Sequence, residues 1–194
     1  MNKKILAAAA CALFLFPFSA RADWMESAEA RFFTEGGTSA AHISLSSEQF
    51  LKVSVSPAED TASFYFLYGD MADEDAFALQ LPCLTQTSGA VKNAIVSVTP
   101  VINTDNGKRF YIIDTGAPGG CLIVSYSGGK FKTAFDASSV PGDWTSASIE
   151  VQKKDLILHL SDAAGTTQDH VLVYDKKAGT FTAEDSAVST IVIQ

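Results

Sequence analysis

Asp114-Thr115-Gly116 is the sharpest chemical signal in this chain, set between the apolar run Tyr111-Ile112-Ile113 and Ala117. A carboxylate on a glycine turn at the end of a strand is a candidate for general acid–base work. The histidines His42, His159 and His170 are scattered, and each sits in a strand pattern as a polar residue of one face. No serine lies in a G-x-S-x-G elbow, so a serine–histidine–aspartate triad would have to be assembled in space. Cys83 and Cys121 have no histidine or second cysteine at zinc spacing. Asn103–Gly107 and Asp70–Asp75 are acidic or amide-rich, but lack the ligand spacing and distal glutamate of a calcium loop. Phosphate-cradling glycine motifs are absent as well. The residue types therefore imply no metal and no cofactor.

Tyr111 to Ala117 resembles the active-site signature of the retropepsin-like aspartic proteases. In that family two such loops meet across a dimer. The resemblance implies Asp114 as the catalytic carboxylate, with Thr115 and Gly116 shaping its loop. The family's second element, two apolar residues and a glycine leading into a helix, has no counterpart after Asp114. The catalytic set is accordingly read as empty, with Asp114 as its one alternative.

The N-terminus predicts export. Lys3 and Lys4 precede an apolar run from Ile5 to Phe18, and Ala20-Arg21-Ala22 supplies small residues for cleavage. This reads as a bacterial secretory signal peptide over residues 1–22, with the periplasm as destination and a single domain over 23–194. No later segment is long and apolar enough to span a membrane. Losing Lys3, Lys4 and Arg21 turns 14 bases and 22 acids into 11 and 22, a net of −11. Nucleic acid and anionic membranes are poor partners for such a chain; a basic protein, steered by the acidic surface, suits it. Cys83 and Cys121, an even pair in an exported chain, predict one structural disulfide.

The elements that would position these residues read as strands. Apolar strands end at Tyr68, Tyr126 and Tyr174 in three look-alike stretches, 58 and then 48 residues apart. Each copy holds a strand, a polar loop, the tyrosine strand, a turn and another strand. A period of ~40–50 residues suits a propeller blade. Asn106-Gly107 and Gly128-Gly129 mark hairpins, Pro141-Gly142 marks a loop, and Val188 to Ile193 closes the chain as a strand. Apolar residues at Trp24, Ala28, Phe32 and Phe33 predict a short N-terminal helix. The fold expectation is all-β: an open, propeller-like stack of three repeated hairpin units, or alternatively a β-sandwich. Asp114-Thr115-Gly116 holds the same place in its copy as Ser56 to Asp60 and Ser161 to Gly165 in theirs.

Without a complete catalytic constellation the chain reads as a binder. The glycine-rich loop Gly116 to Gly120, the apolar strand to Tyr126 and the Gly-Gly hairpin carry a resemblance to small periplasmic proteins that neutralise cell-wall hydrolases. These are the immunity proteins of type VI secretion amidase effectors and the periplasmic lysozyme inhibitors. The lysozyme-inhibitor Ser-Gly-x-x-Tyr loop is replaced here by Ala117-Pro118-Gly119-Gly120. The resemblance implies a basic secreted or periplasmic hydrolase as partner, blocked by insertion of a loop. Asp114, Thr115, Gly116, Pro118, Gly119 and Gly120 would be the partner-binding residues. A structural or accessory envelope protein is the remaining alternative.

Overall fold

The computed structural model describes residues 24–26, 30–34, 37–45, 49–68, 77–127 and 130–185. Two short strands come first, β1 (Trp24–Glu26) and β2 (Ala30–Phe33). A first sheet follows as a meander of β3 (Ser39–Ser44), β4 (Gln49–Ser56), β5 (Thr61–Tyr68) and β6 (Phe77–Pro82). The central sheet takes β7 (Thr85–Ser88), β8 (Val91–Asn103), β9 (Arg109–Asp114), β10 (Cys121–Ser127) and β11 (Lys130–Asp136). A third sheet contains β12 (Trp144–Val151), β13 (Leu156–Asp162), β14 (Thr167–Asp175) and β15 (Thr180–Asp185). Every pairing among the described residues is antiparallel, and none of the three sheets closes on itself.

The expected N-terminal helix is replaced by strands. β8 is long, and β9 covers only one of its edges. β2 takes Ile95–Val98 on the other edge and β1 takes Val101–Asn103. Backbone groups along an uncovered edge need partners, and this outweighs the weak helical spacing of the segment. The aromatics of β2 alternate accordingly, with Phe32 buried and Phe33 half exposed.

Burial in the central strands explains the stacking. β9 reads Phe110-Tyr111-Ile112-Ile113, all four buried, as expected of a strand covered on both faces. Tyr111, Ile113, Leu122 and Val124 pack with Leu51, Val53, Phe64 and Phe66 of the first sheet. Phe110, Ile112, Cys121 and Ile123 face the other way, onto Leu156, Leu158 and Leu160 of the third. The outer strands β4 and β13 instead alternate between buried and more exposed positions. Each fully buried aliphatic or aromatic side chain stabilises the stack by about 1.5–3 kcal/mol. Tyr111 carries the main polar exception in the first core: its hydroxyl donates to Gln49 Oε1, and burial pushes its pKa up to about 12.

The tyrosine strands are β5, β10 and β14, each the third of a four-strand run, and the three polar loops each join the second strand to the third. Asn106-Gly107 turns β8 into β9, with Gly107 at φ +67° and Asn106 Oδ1 accepting the Lys108 N–H. Residues 1–22, Asp70–Asp75, Gly128-Gly129 and Val188–Ile193 lie outside the described residues. Among those described, no helix is long and apolar enough to cross a membrane.

Candidate functional site

The Asp114–Gly120 loop sits where all three sheets meet. Asp114 ends β9, and its Oδ1 accepts the Gly116 N–H at 2.8 Å, folding the chain back at once. Gly116 has φ +76°, which a side chain would resist. Thr115 is completely buried, and its hydroxyl donates to the Pro82 carbonyl of the first sheet at 2.7 Å. Ala147 of the third sheet donates its N–H to the Gly116 carbonyl at 3.1 Å. Leu84 N–H donates to the Thr115 carbonyl, and Thr115 N–H to the Gly120 carbonyl. A single 3-10 turn over Pro118–Gly120 then delivers the chain into β10. A Cβ at Gly120 would collide with the Thr115 hydroxyl and the Pro82 carbonyl, so only glycine lets these backbones approach.

This arrangement separates the residues expected to meet a partner. Thr115 and Gly120 are buried; Asp114, Gly116, Pro118 and Gly119 are half-buried. The loop is flush with the surface and tied at both sides. Asp114 opens instead on a polar cleft of about 270 Å³, which it lines with Arg31, Ser97, Thr99, Ser148 and Glu150. Arg31, Ser97 and Asp114 are successive cross-strand neighbours on β2, β8 and β9. Asp114 and Glu150 are the two carboxylates of that cleft.

The expected disulfide is not formed: Cys83 and Cys121 are both free and buried. Cys83 belongs to the core between the first and central sheets, Cys121 to the core between the central and third. The two side chains thus belong to the two different cores that flank the central sheet. Burial pushes both thiols upward in pKa, Cys121 well above its ordinary range. Neither is an activated nucleophile.

Among the described side chains, His159 and His170 assemble no triad. His159 has both ring nitrogens committed to carboxylates, Nδ1 to Asp169 at 2.7 Å and Nε2 to Glu150 at 3.2 Å. His170 lies 3.3 Å from Asp185 through Nδ1. Its buried Nε2 meets no partner among the described residues, so no described serine hydroxyl reaches it. His42 pairs with Lys52 through the backbone of β3 and β4. Asn103–Gly107 is a turn held by its own amides, Asn103 Oδ1 accepting the Asp105 N–H. Among the described residues no group of three or more His, Cys, Asp and Glu side chains is placed to hold a metal.

One surface was missed by sequence reasoning. Phe33, Leu84, Val91 and Ile95 are the exposed large hydrophobics of the described residues, Phe33 and Ile95 at 54% each. Phe33, Leu84 and Ile95 line one cleft of about 230 Å³ with Gln86, Asn93 and Gly116. Phe33 and Ile95 are direct cross-strand neighbours, and Leu84 packs against Gly116. The signal lay in β8, where Val91, Asn93 and Ile95 share one face while Ala94, Val96 and Val98 are buried on the other. Apolar residues in both phases of a strand mark either a doubly covered strand or an apolar outer face.

Comparison with known protein families, with curated proteins and with solved structures returned no match.

Proposed function

We propose that this protein is an exported binding protein that neutralises a cell-wall-acting or periplasmic hydrolase, in the manner of immunity and inhibitor proteins. The observation that carries the reading is the apolar patch of Phe33, Leu84 and Ile95 beside the Gly116 turn. Clustered apolar side chains on an otherwise polar surface favour a protein contact, and an aromatic such as Phe33 suits its centre. The sheets supporting the patch are stacked on two shared cores, so little ordering is needed on binding. The partner-facing part of the loop is then Gly116 with Pro118 and Gly119, while Thr115 and Gly120 hold it in place. We also read the three sheets as copies of one blade-like unit, on the strength of their third-strand tyrosines.

The acidic balance of the chain supports a basic partner. Association should therefore slow as salt is raised, and a rate indifferent to salt overturns the steering. The decisive test is inhibition of purified glycosidases and amidases digesting isolated peptidoglycan. Inhibition by the wild-type chain and its loss in Ile95→Asp is the expected result. No inhibition of either enzyme class sinks the proposal.

A hydrolytic reading draws on one observation, that Asp114 and Glu150 line the same cleft. Peptidase activity that vanishes in Asp114→Asn and survives in Ile95→Asp would favour it.

A further inference from the structure

The end of the stack remote from the Gly116 turn carries an arrangement that hydrolase binding does not use. Lys108, just after the β8–β9 turn, lays its ammonium over the rings of Phe110 and Tyr174, at 5.3 and 5.5 Å from their centres. It also donates to the Tyr174 hydroxyl oxygen at 2.9 Å. Lys132 projects from β11 towards the same place. Both nitrogens lie 3.5 Å from the position a Cβ of Gly179 would occupy, so they stand no more than twice that distance apart. Gly179 closes the β14–β15 turn at φ +73° and leaves the space between them open.

Two like charges are thus held together, and among the described residues neither ammonium meets a carboxylate. The acids nearest in the chain are already engaged. Asp105 pairs with Lys176 at 3.3 Å. Asp175 Oδ1 accepts the N–H groups of Lys177 and Ala178. The chain as a whole is strongly acidic, so chance does not favour an uncompensated basic pair. Ring packing fixes Lys108 in this place, and an anion between the ammoniums would remove their repulsion.

We propose that Lys108, Lys132 and the Tyr174 hydroxyl form an oxyanion site over Gly179 that takes a phosphate group. The Tyr174 oxygen accepts from Lys108, which leaves its own hydrogen to donate. Two separate ammoniums suit a tetrahedral oxyanion presenting oxygens in different directions; a planar carboxylate is better matched by an arginine fork. The phosphate is carried by a soluble ester or by the headgroup of an anionic lipid. This site is independent of the hydrolase-binding face.

The test titrates isotope-labelled full-length protein with inorganic phosphate, balancing ionic strength with chloride, and follows the amides of Lys108, Lys132, Gly179 and Thr180. Saturable shifts are expected in the wild type. They should weaken about tenfold in Lys132→Gln, whose exposed side chain is dispensable for packing, and stay unchanged in the control Lys153→Gln. Glycerol phosphate and vesicles of phosphatidylglycerol, against phosphatidylcholine vesicles, then distinguish the two sources. Lys132-dependent binding to the soluble ester alone assigns an ester. Lys132-dependent sedimentation with the anionic vesicles assigns a lipid. Shifts that chloride reproduces, that survive Lys132→Gln, or that never appear overturn the site.

Discussion

The turn between β9 and β10 and the turn between β13 and β14 begin alike and end differently. Each joins the second strand of its run to the third, and each opens on an aspartate whose Oδ1 accepts the N–H two residues on. Asp114 does this for Gly116, and Asp162 for Ala164, with Thr166 as a second donor. After that they diverge. The residues following Asp162 are exposed, whereas Thr115 and Gly120 are buried under neighbouring sheets. The contrast locates the meaning of the Asp-Thr-Gly triplet. Its aspartate is shared with a plain solvent turn, where such residues start turns by accepting their own backbone. Its threonine and the later glycine answer to the central position of the sheet, which has a layer on either side.

The largest break in that comparison should come from glycine. Gly120→Ala forces a methyl group into the Thr115 hydroxyl and the Pro82 carbonyl, and nothing there is a yielding side-chain end. A loss of about 3 kcal/mol or more is expected. Gly165→Ala meets open space and only the cost of φ +82°, about 1 kcal/mol. Urea unfolding of both variants decides it; equal losses would mean the two turns are packed alike. Threonine should follow in order. Thr115→Val keeps the shape but leaves the Pro82 carbonyl without its donor, for about 1–3 kcal/mol. Thr166→Val on the exposed turn should stay within about 0.5 kcal/mol.

The exposed turn has its own signature in pH. The Thr166 backbone N–H, followed by the Thr166 hydroxyl and the N–H groups of Ala164 and Gly165, holds the Asp162 carboxyl below its ordinary 3.8. A carboxyl lowered on folding stabilises the protein above its unfolded pKa, and that contribution fades as pH falls through the lowered value. Stability measured from pH 5 downward should therefore decline, and Asp162→Asn should flatten part of that decline by losing the contribution at neutral pH, the two proteins converging in acid. An unchanged acid limb would remove Asp162 from the account. Asp114→Asn, which keeps an Oδ1 acceptor for Gly116, should lower the unfolding free energy read in urea by less than about 1 kcal/mol and leave hydrolase inhibition intact.

How far the sequence could be read follows the same line between local and layered effects. β4, β13 and the Asn106-Gly107 hairpin were legible because alternation and turn chemistry are local. The order of the tyrosine strands was legible too, each standing third in its four-strand run. The N-terminal strands were not: Trp24–Glu26 and Ala30–Phe33 pair with an edge of β8 some seventy residues away, and no local spacing records that. The patch at Phe33, Leu84 and Ile95 was hidden for a related reason. An apolar residue in both phases of β8 is read as core until the covering layer is known to stop short of it.

The smallest expected effect concerns the cysteines, and it tests how the central turn is held. Cys121 follows the turn directly, and its predicted bridge to Cys83 would have made the turn a tethered loop of about 39 residues. Packing and hydrogen bonds to Pro82, Leu84 and Ala147 hold it instead, with the sulfurs in separate cores. Adding dithiothreitol should therefore leave the urea midpoint unchanged. A thiol reagent should find nothing in the native protein and both Cys83 and Cys121 after unfolding. A bridge stabilising by ~3–4 kcal/mol would show plainly as a midpoint that drops on reduction. That outcome would place the restraint on the central turn in a covalent bond, and the contrast with the β13–β14 turn would then rest on cysteine rather than on burial.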